Sequence, residues 1–189
     1  MVNMTGAKWR FFQTKNIESE PPIQKKNPLK KIKVSAKIRL VPFDRTRREA
    51  FRWYQDPDSM YYIVGAPSIY TKKQIRQMYH WQNENGLLYY IEYNVGEQFR
   101  TIGDVWLSED DYAIVIDKRF RNKGIGRSVT KYFIYKAQKM ERKYIYVSEV
   151  FTWNSASQKM FTSLGFYPYE KQKDAWSYRK RLNSGLLSK

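Results

Sequence analysis

Residues 114–126 read Ile114-Val115-Ile116-Asp117-Lys118-Arg119-Phe120-Arg121-Asn122-Lys123-Gly124-Ile125-Gly126. An apolar, β-branched run ends a strand, a basic loop turns, and a helix begins at Gly126. Beyond it Val129, Tyr132, Phe133, Ala137 and Met140 recur at helical spacing. A helix start presents unpaired N–H groups and a partial positive charge, so it attracts anions. Gly124 and Gly126 let the backbone approach a phosphate with no Cβ in the way. Arg119, Arg121, Lys123 and Arg127 add charge around it. The pattern Arg-x-x-Gly-x-Gly fits a pyrophosphate cradle. It is not a P-loop, because Gly126-Arg127-Ser128 lacks the leading glycine and the lysine. It is not a dinucleotide fingerprint either, which needs a third glycine and a later acidic residue. A plain strand-to-helix turn is the competing reading of so short a motif.

Upstream, Lys33–Leu40 alternates with Val34, Ala36, Ile38 and Leu40 on one face, which predicts a strand. Asp44 and Thr46 offer a cap to a helix over 46–55 that stops at Asp56-Pro57. Thr71 caps a second helix to about Asn83, with Ile75, Met78 and Tyr79 as its stripe. Segments 87–93 and 101–107 read as a hairpin turning at Val95-Gly96-Glu97, and 112–116 as a short strand. Downstream come a strand over 144–150 and a short helix over 154–164 with Ala156, Met160, Phe161 and Leu164 inward. Gly165 is its C′ residue, and strands follow over 166–169 and 175–182. The predicted order is β-α-α-β-β-β-α-β-α-β-β, a mixed α/β (α+β) single domain. Residues 1–32 read as a basic extension, 33–182 as the domain and 183–189 as a tail.

The 189 residues contain no cysteine and one histidine, His80. Disulfide frameworks, cysteine–zinc sites and thiol nucleophiles are excluded, and no metal is expected. No apolar run approaches a membrane span, and Met1–Trp9 lacks the apolar core of a signal peptide. A cytoplasmic protein without a membrane partner is the expectation. The net charge of +17 divides into +7 over residues 1–37, −2 over 38–116 and +12 over 117–189. The basic final third predicts a polyanionic partner. Trp9, Phe11 and Phe12 in the extension suit a packing contact, so the chain is expected as a monomer or homodimer.

About thirty residues after the glycine loop comes a second element, Asn154-Ser155-Ala156-Ser157-Gln158-Lys159-Met160-Phe161-Thr162-Ser163-Leu164-Gly165-Phe166. Together, Arg121-x-x-Gly124-x-Gly126 with its strand and Asn154…Leu164-Gly165-Phe166 resemble the two central motifs of the GNAT acetyltransferase superfamily. The resemblance covers about residues 33–182. The opening IRLVPFDRTRREAFRWYQDPDSM with Ile102-Gly103 is similar to members that modify ribosomal-protein N-termini.

That resemblance implies a splayed, mostly antiparallel central sheet flanked by helices, and acetyl-CoA as cofactor. It implies that the backbones of Arg121, Asn122, Lys123, Gly124, Ile125 and Gly126 hold the pyrophosphate, with Arg127 and Ser128 next in line. It implies that Ile114, Val115 and Ile116 pair with the pantetheine arm as an added strand would. Asn154 matches an asparagine that bonds this arm, and is also a fitting helix N-cap. Phe161 stands where many members carry a tyrosine acid, and phenylalanine has no proton to donate. Ser157 matches the serine that some relatives place three residues after the asparagine; a plain surface serine is its other reading.

Amine attack on a thioester needs a proton acceptor. Glu149 and Asp104 at neighbouring strand positions are the candidates, with Glu92 behind them; each also suits a salt bridge. His80, Trp53, Trp106 and Trp153 read first as surface or core residues. The leading function is acetyl transfer to a primary amine, on a protein N-terminus or a small molecule. An aminoglycoside-type acceptor is an alternative, since Asp56, Asp58, Glu84, Asp110 and Asp111 offer an acidic cleft. A non-catalytic, basic RNA- or ribosome-associated scaffold is another. It draws on Lys25, Lys26, Lys30 and Lys31 and on the basic final third, which also predict weak nucleic-acid contact.

Overall fold

The computed structural model describes residues 29–182. Its strands are β1 Ile32–Lys33, β2 Ile38–Pro42, β3 Leu87–Asn94, β4 Phe99–Leu107, β5 Tyr112–Ile116, β6 Tyr144–Phe151, β7 Tyr167–Lys171 and β8 Ala175–Arg181. Its helices are α1 Arg48–Tyr54, α2 Pro57–Val64, α3 Lys72–Glu84, α4 Ile125–Lys139 and α5 Ser155–Ser163. Trp9, Phe11, Phe12, Lys25, Lys26 and the tail lie outside the described residues.

The strands form two sheets, one in the order β1-β2-β3-β4-β5 and one in the order β6-β8-β7. Every pairing is antiparallel. β5 and β6 lie side by side with no ladder between them, so the sheet opens there.

Alternation along β3 divides the core. Leu87, Tyr89 and Ile91 face one cluster with Val129, Phe133 and Ala137 of α4. Leu88 and Tyr90 face the other, with Tyr54, Met60, Ile75 and Tyr79 of α1, α2 and α3. This is period-two alternation serving a sheet covered on both faces. A fully buried residue such as Phe133 contributes roughly 1.5–3 kcal/mol.

Three sequence expectations change. The single strand over 33–40 is a hairpin, because the Ser35 hydroxyl accepts from the amides of Lys37 and Ile38 and folds the chain back. Neither Asp44 nor Thr46 caps α1. Arg47 begins it, and its backbone N–H donates to the Tyr90 hydroxyl while its guanidinium bonds Glu92 and Thr101. Asp56-Pro57 ends one helix and also starts another: Asp56 accepts from the Ser59 amide, and Pro57 takes a first-turn position where no N–H is needed. α2 was therefore absent from the predicted order. α3 has the expected cap, reinforced by Gln74, whose side chain accepts from the Thr71 amide.

Candidate active site

A cleft of about 670 Å³ occupies the opening between the sheets. β5 and β6 form its walls, the 121–127 turn and the first turn of α5 its rim, and Tyr62 and Ile63 of α2 a further side.

The loop after β5 is built by an anchored carboxylate. Asp117 accepts from the Arg119 amide (3.0 Å), the Arg119 guanidinium (2.6 Å to Oδ2) and the Trp53 indole (3.2 Å). Burial pushes this carboxyl up, but the Arg119 side chain and amide and the Trp53 indole outweigh it, leaving it at about 2. Arg121 then folds back: Nε donates to the Ile116 carbonyl (3.0 Å) and a guanidinium nitrogen to Ser59 Oγ (3.1 Å). The Arg119 and Arg121 charges are thus tied into the frame of the loop.

The backbone is what the loop presents. Asn122 and Gly124 are both left-handed (φ 61° and 72°), which turns successive amides toward one side, as in an anion-binding nest. No described side chain caps α4, whose N-cap is Gly124, and its first turn carries no acid. Among the expected cofactor residues, Ile114, Val115, Ile116, Arg121, Asn122, Gly124, Ile125, Gly126, Arg127, Asn154, Ser157 and Phe161 line the cleft. Lys123 and Ser128 do not. Ser128 Oγ donates to the Gly124 carbonyl, and this side chain lines a separate, smaller hollow beside Lys131 and Tyr135. A Cβ on Gly126 would come within 3.1 Å of Met160 Sδ and 3.3 Å of Ile116 Cδ1, so the turn threads a gap sized for glycine. Arg127 bonds the Ser163 hydroxyl and clips α4 to α5.

Asn154 caps α5, its Oδ1 accepting from the Ser157 amide at 3.1 Å, and it also faces the cleft. Ala156, expected inward, is exposed on the cleft rim. Phe161 is buried against Tyr112 and Phe166.

The acid candidates separate. Glu149 lines the cleft. The β6–β8 register shifts between Val147 and Val150, so Ser148 and Glu149 form a bulge. Bulges re-aim side chains. The Ser148 amide donates to Asp111 Oδ1 (2.8 Å), and its carbonyl accepts from Ser177 Oγ and Gln172 Nε2. Asp104 is not at the cleft: it is fully buried, accepting from the Tyr54 and Tyr79 hydroxyls at 2.9 and 2.6 Å. Burial pushes both phenols well above the usual range, and the adjacent Asp104 charge adds to it. Glu92 is held by Arg39 and Arg47.

The expected acidic cleft does not assemble. Asp56 and Asp58 pair with Lys118, and Asp110 accepts from Ser108. Of the five acids, only Asp111 lines the cleft. Aromatic rings stand there instead: Trp153 stacks between Tyr61 (5.0 Å) and Phe151 (4.9 Å), with Tyr62 exposed beside them. Tyr62, Ile63 and Ser148 were missed by sequence reasoning, and Asp111 was named only as one acid of the expected acidic cleft. The Asp-Pro helix start was the legible signal for the first two; the bulge that recruits Ser148 and its bond to Asp111 has none.

The sequence profile of the acetyltransferase (GNAT) domain matches residues 37–167. No curated protein matches the sequence. A domain from Methanocaldococcus jannaschii superposes with TM-score 0.67 at 20% identity, covering 77% of this chain and 99% of that one. RimL, a ribosomal alpha-N-protein acetyltransferase in complex with coenzyme A, gives 0.65 at 14%, covering 82% and 99%. A spermidine N-acetyltransferase from Vibrio cholerae in complex with CoA and spermine gives 0.63 at 16%, covering 78% and 97%.

Proposed function

The chain belongs to the GNAT acetyltransferase family, and from that premise we propose that it transfers the acetyl group of acetyl-CoA to a primary amine, on a protein N-terminus or a small molecule. The observation that carries this reading is the start of α4, an uncapped helix terminus behind two left-handed residues at the rim of a cleft split between β5 and β6. Those features fit a long cofactor with a pyrophosphate at one end. The amides of residues 122–127 would hold the phosphates, and Ile114–Ile116 would bond the amide-containing arm through backbone groups. Similar proteins solved with CoA support the choice.

Acetyl-CoA supplies an activated acyl group as a thioester. Glu149, aimed into the cleft by the bulge, accepts the proton of the attacking amine. Asn154 and Ser157 border the cofactor arm from α5, and the Ser157 hydroxyl provides a proton donor on the side where Phe161 has none. Asp104 is assigned no catalytic part, because it is enclosed by tyrosines away from the cleft.

Calorimetric titration with acetyl-CoA tests the reading. Wild type binds. Gly124→Glu, which places an anion at the cradle, abolishes binding, while Gly124→Asn, which tolerates the same left-handed backbone, retains it. Absence of binding by the wild type overturns the proposal.

A further inference from the structure

The outer face of the β6-β8-β7 sheet carries an unusual set of side chains. Cross-strand register places Tyr146 and Tyr167 on either side of Arg179, and Tyr144 opposite Arg181. The Arg179 guanidinium lies 4.8 Å from the Tyr169 ring centre, 5.0 Å from Tyr144 and 5.4 Å from Tyr167. Tyr146 continues the cluster, 5.8 Å from Tyr144 and 6.0 Å from Tyr169. Tyr167 and Tyr169 are 40% and 39% exposed, so their rings remain open to a ligand. None of these residues lines the cleft.

The charge on this face is not neutralised locally. The ion pairs of Arg39, Arg47, Lys118 and Arg119 with their carboxylates all lie away from this face. Arg179 is held by ring faces, and its Nε finds no acceptor among the described residues. Residues 167–181 hold five Lys/Arg against two Asp/Glu, Glu170 and Asp174. Lys143 adds a cation 5.9 Å from the Tyr144 ring.

We propose that this tyrosine–arginine face binds a single-stranded polynucleotide. Exposed rings on a sheet offer stacking surfaces for unpaired bases, and arginines set between them meet the phosphates. A polyanion without bases would use the cations and leave the rings idle. A duplex would hide its bases from them. The face is separate from the acetyl-transfer cleft, and its binding does not depend on that activity.

Fluorescence anisotropy with labelled oligo(U) and oligo(dT) of about 15 nucleotides tests this on the full chain. Binding is expected, weakening at higher salt, with a same-length duplex bound less tightly. Tyr167→Ala/Tyr169→Ala leaves the net charge unchanged and is expected to weaken binding at least about tenfold, at 1–3 kcal/mol per stacked base. Arg179→Gln is expected to weaken it and to reduce the salt slope by about one. Retained acetyl-CoA binding checks that the variants fold. Crosslinking of a 4-thiouridine oligonucleotide to wild type, mapped by mass spectrometry, reads the same face without mutation. Absence of binding, full affinity in the tyrosine variant, equal affinity for duplex, or crosslinks confined to peptides outside β6, β7 and β8 would each overturn the proposal.

Discussion

The Ser148 amide donates to Asp111 Oδ1 at 2.8 Å, joining the bulge of β6 to the residue that precedes β5. Two strands that share no ladder are thereby pinned by one side chain. The same residue spans the chain's tight 108–111 turn, where the Ser108 amide donates to the Asp111 carbonyl and the Asp111 amide to Ser108 Oγ. The pin holds the bulge in register, and the bulge directs Glu149.

Removing the pin leaves a partly buried N–H without its acceptor. Asp111→Ala is expected to lower stability by about 1–3 kcal/mol, measured by urea unfolding. Asp111→Asn, which keeps an amide oxygen, is expected to lose less. Unchanged unfolding of the alanine variant would show that the bond carries no weight.

Glu149→Gln keeps the shape of the cleft and removes the proposed proton acceptor. It is expected to lower kcat by about 10²-fold or more, with the acetyl-CoA dissociation constant unchanged by calorimetry. Asp104→Asn is expected to act on stability instead, since the Tyr54 and Tyr79 hydroxyls donate to that carboxylate. Full turnover in Glu149→Gln would remove Glu149 from the mechanism.

Asp117 sets an acid limit. Its folded pKa of about 2 lies below the ordinary 3.8, so the folded state favours the ionised form. Its contribution is fully present above about pH 4 and is lost as pH falls through about 2. Wild type is therefore expected to melt higher than Asp117→Asn at neutral pH, with the gap narrowing between pH 4 and 2. A gap independent of pH would mean that the carboxylate charge contributes nothing.

Gly103 is required by close packing. A Cβ there would lie 2.2 Å from the Val115 carbonyl oxygen on the neighbouring strand, a backbone atom that cannot swing aside. Gly103→Ala is expected to cost about 3 kcal/mol or to prevent folding, read by thermal denaturation. Ordinary stability in this variant would refute the packing account.

The residue pattern alone determined much of the architecture. Apolar runs bounded by turn residues located β3, β4 and β5, and helical spacing located α3 and α4, because a helix with one buried face writes its period into the chain. The glycine loop and the Asn154 helix start were legible for the same local reason: a helix terminus needs particular residues within a few positions of itself. Glu149 was named as a carboxylate on a strand, with no sign of which way it pointed. That direction came from a register shift in β6, and register depends on a partner strand thirty residues away in the chain. Asp104 and Glu149 looked equivalent as acids on neighbouring strands. Only folding enclosed the first beneath Tyr54 and Tyr79, contributed by α1 and α3, and opened the second to the cleft. The arginines of the loop differ likewise: Arg119 bonds Asp117 within its own turn, but the contact of Arg121 with Ser59 depends on how distant segments meet. Local chemistry specifies elements and caps; long-range packing decides which side chains are spent holding the frame and which remain to do chemistry.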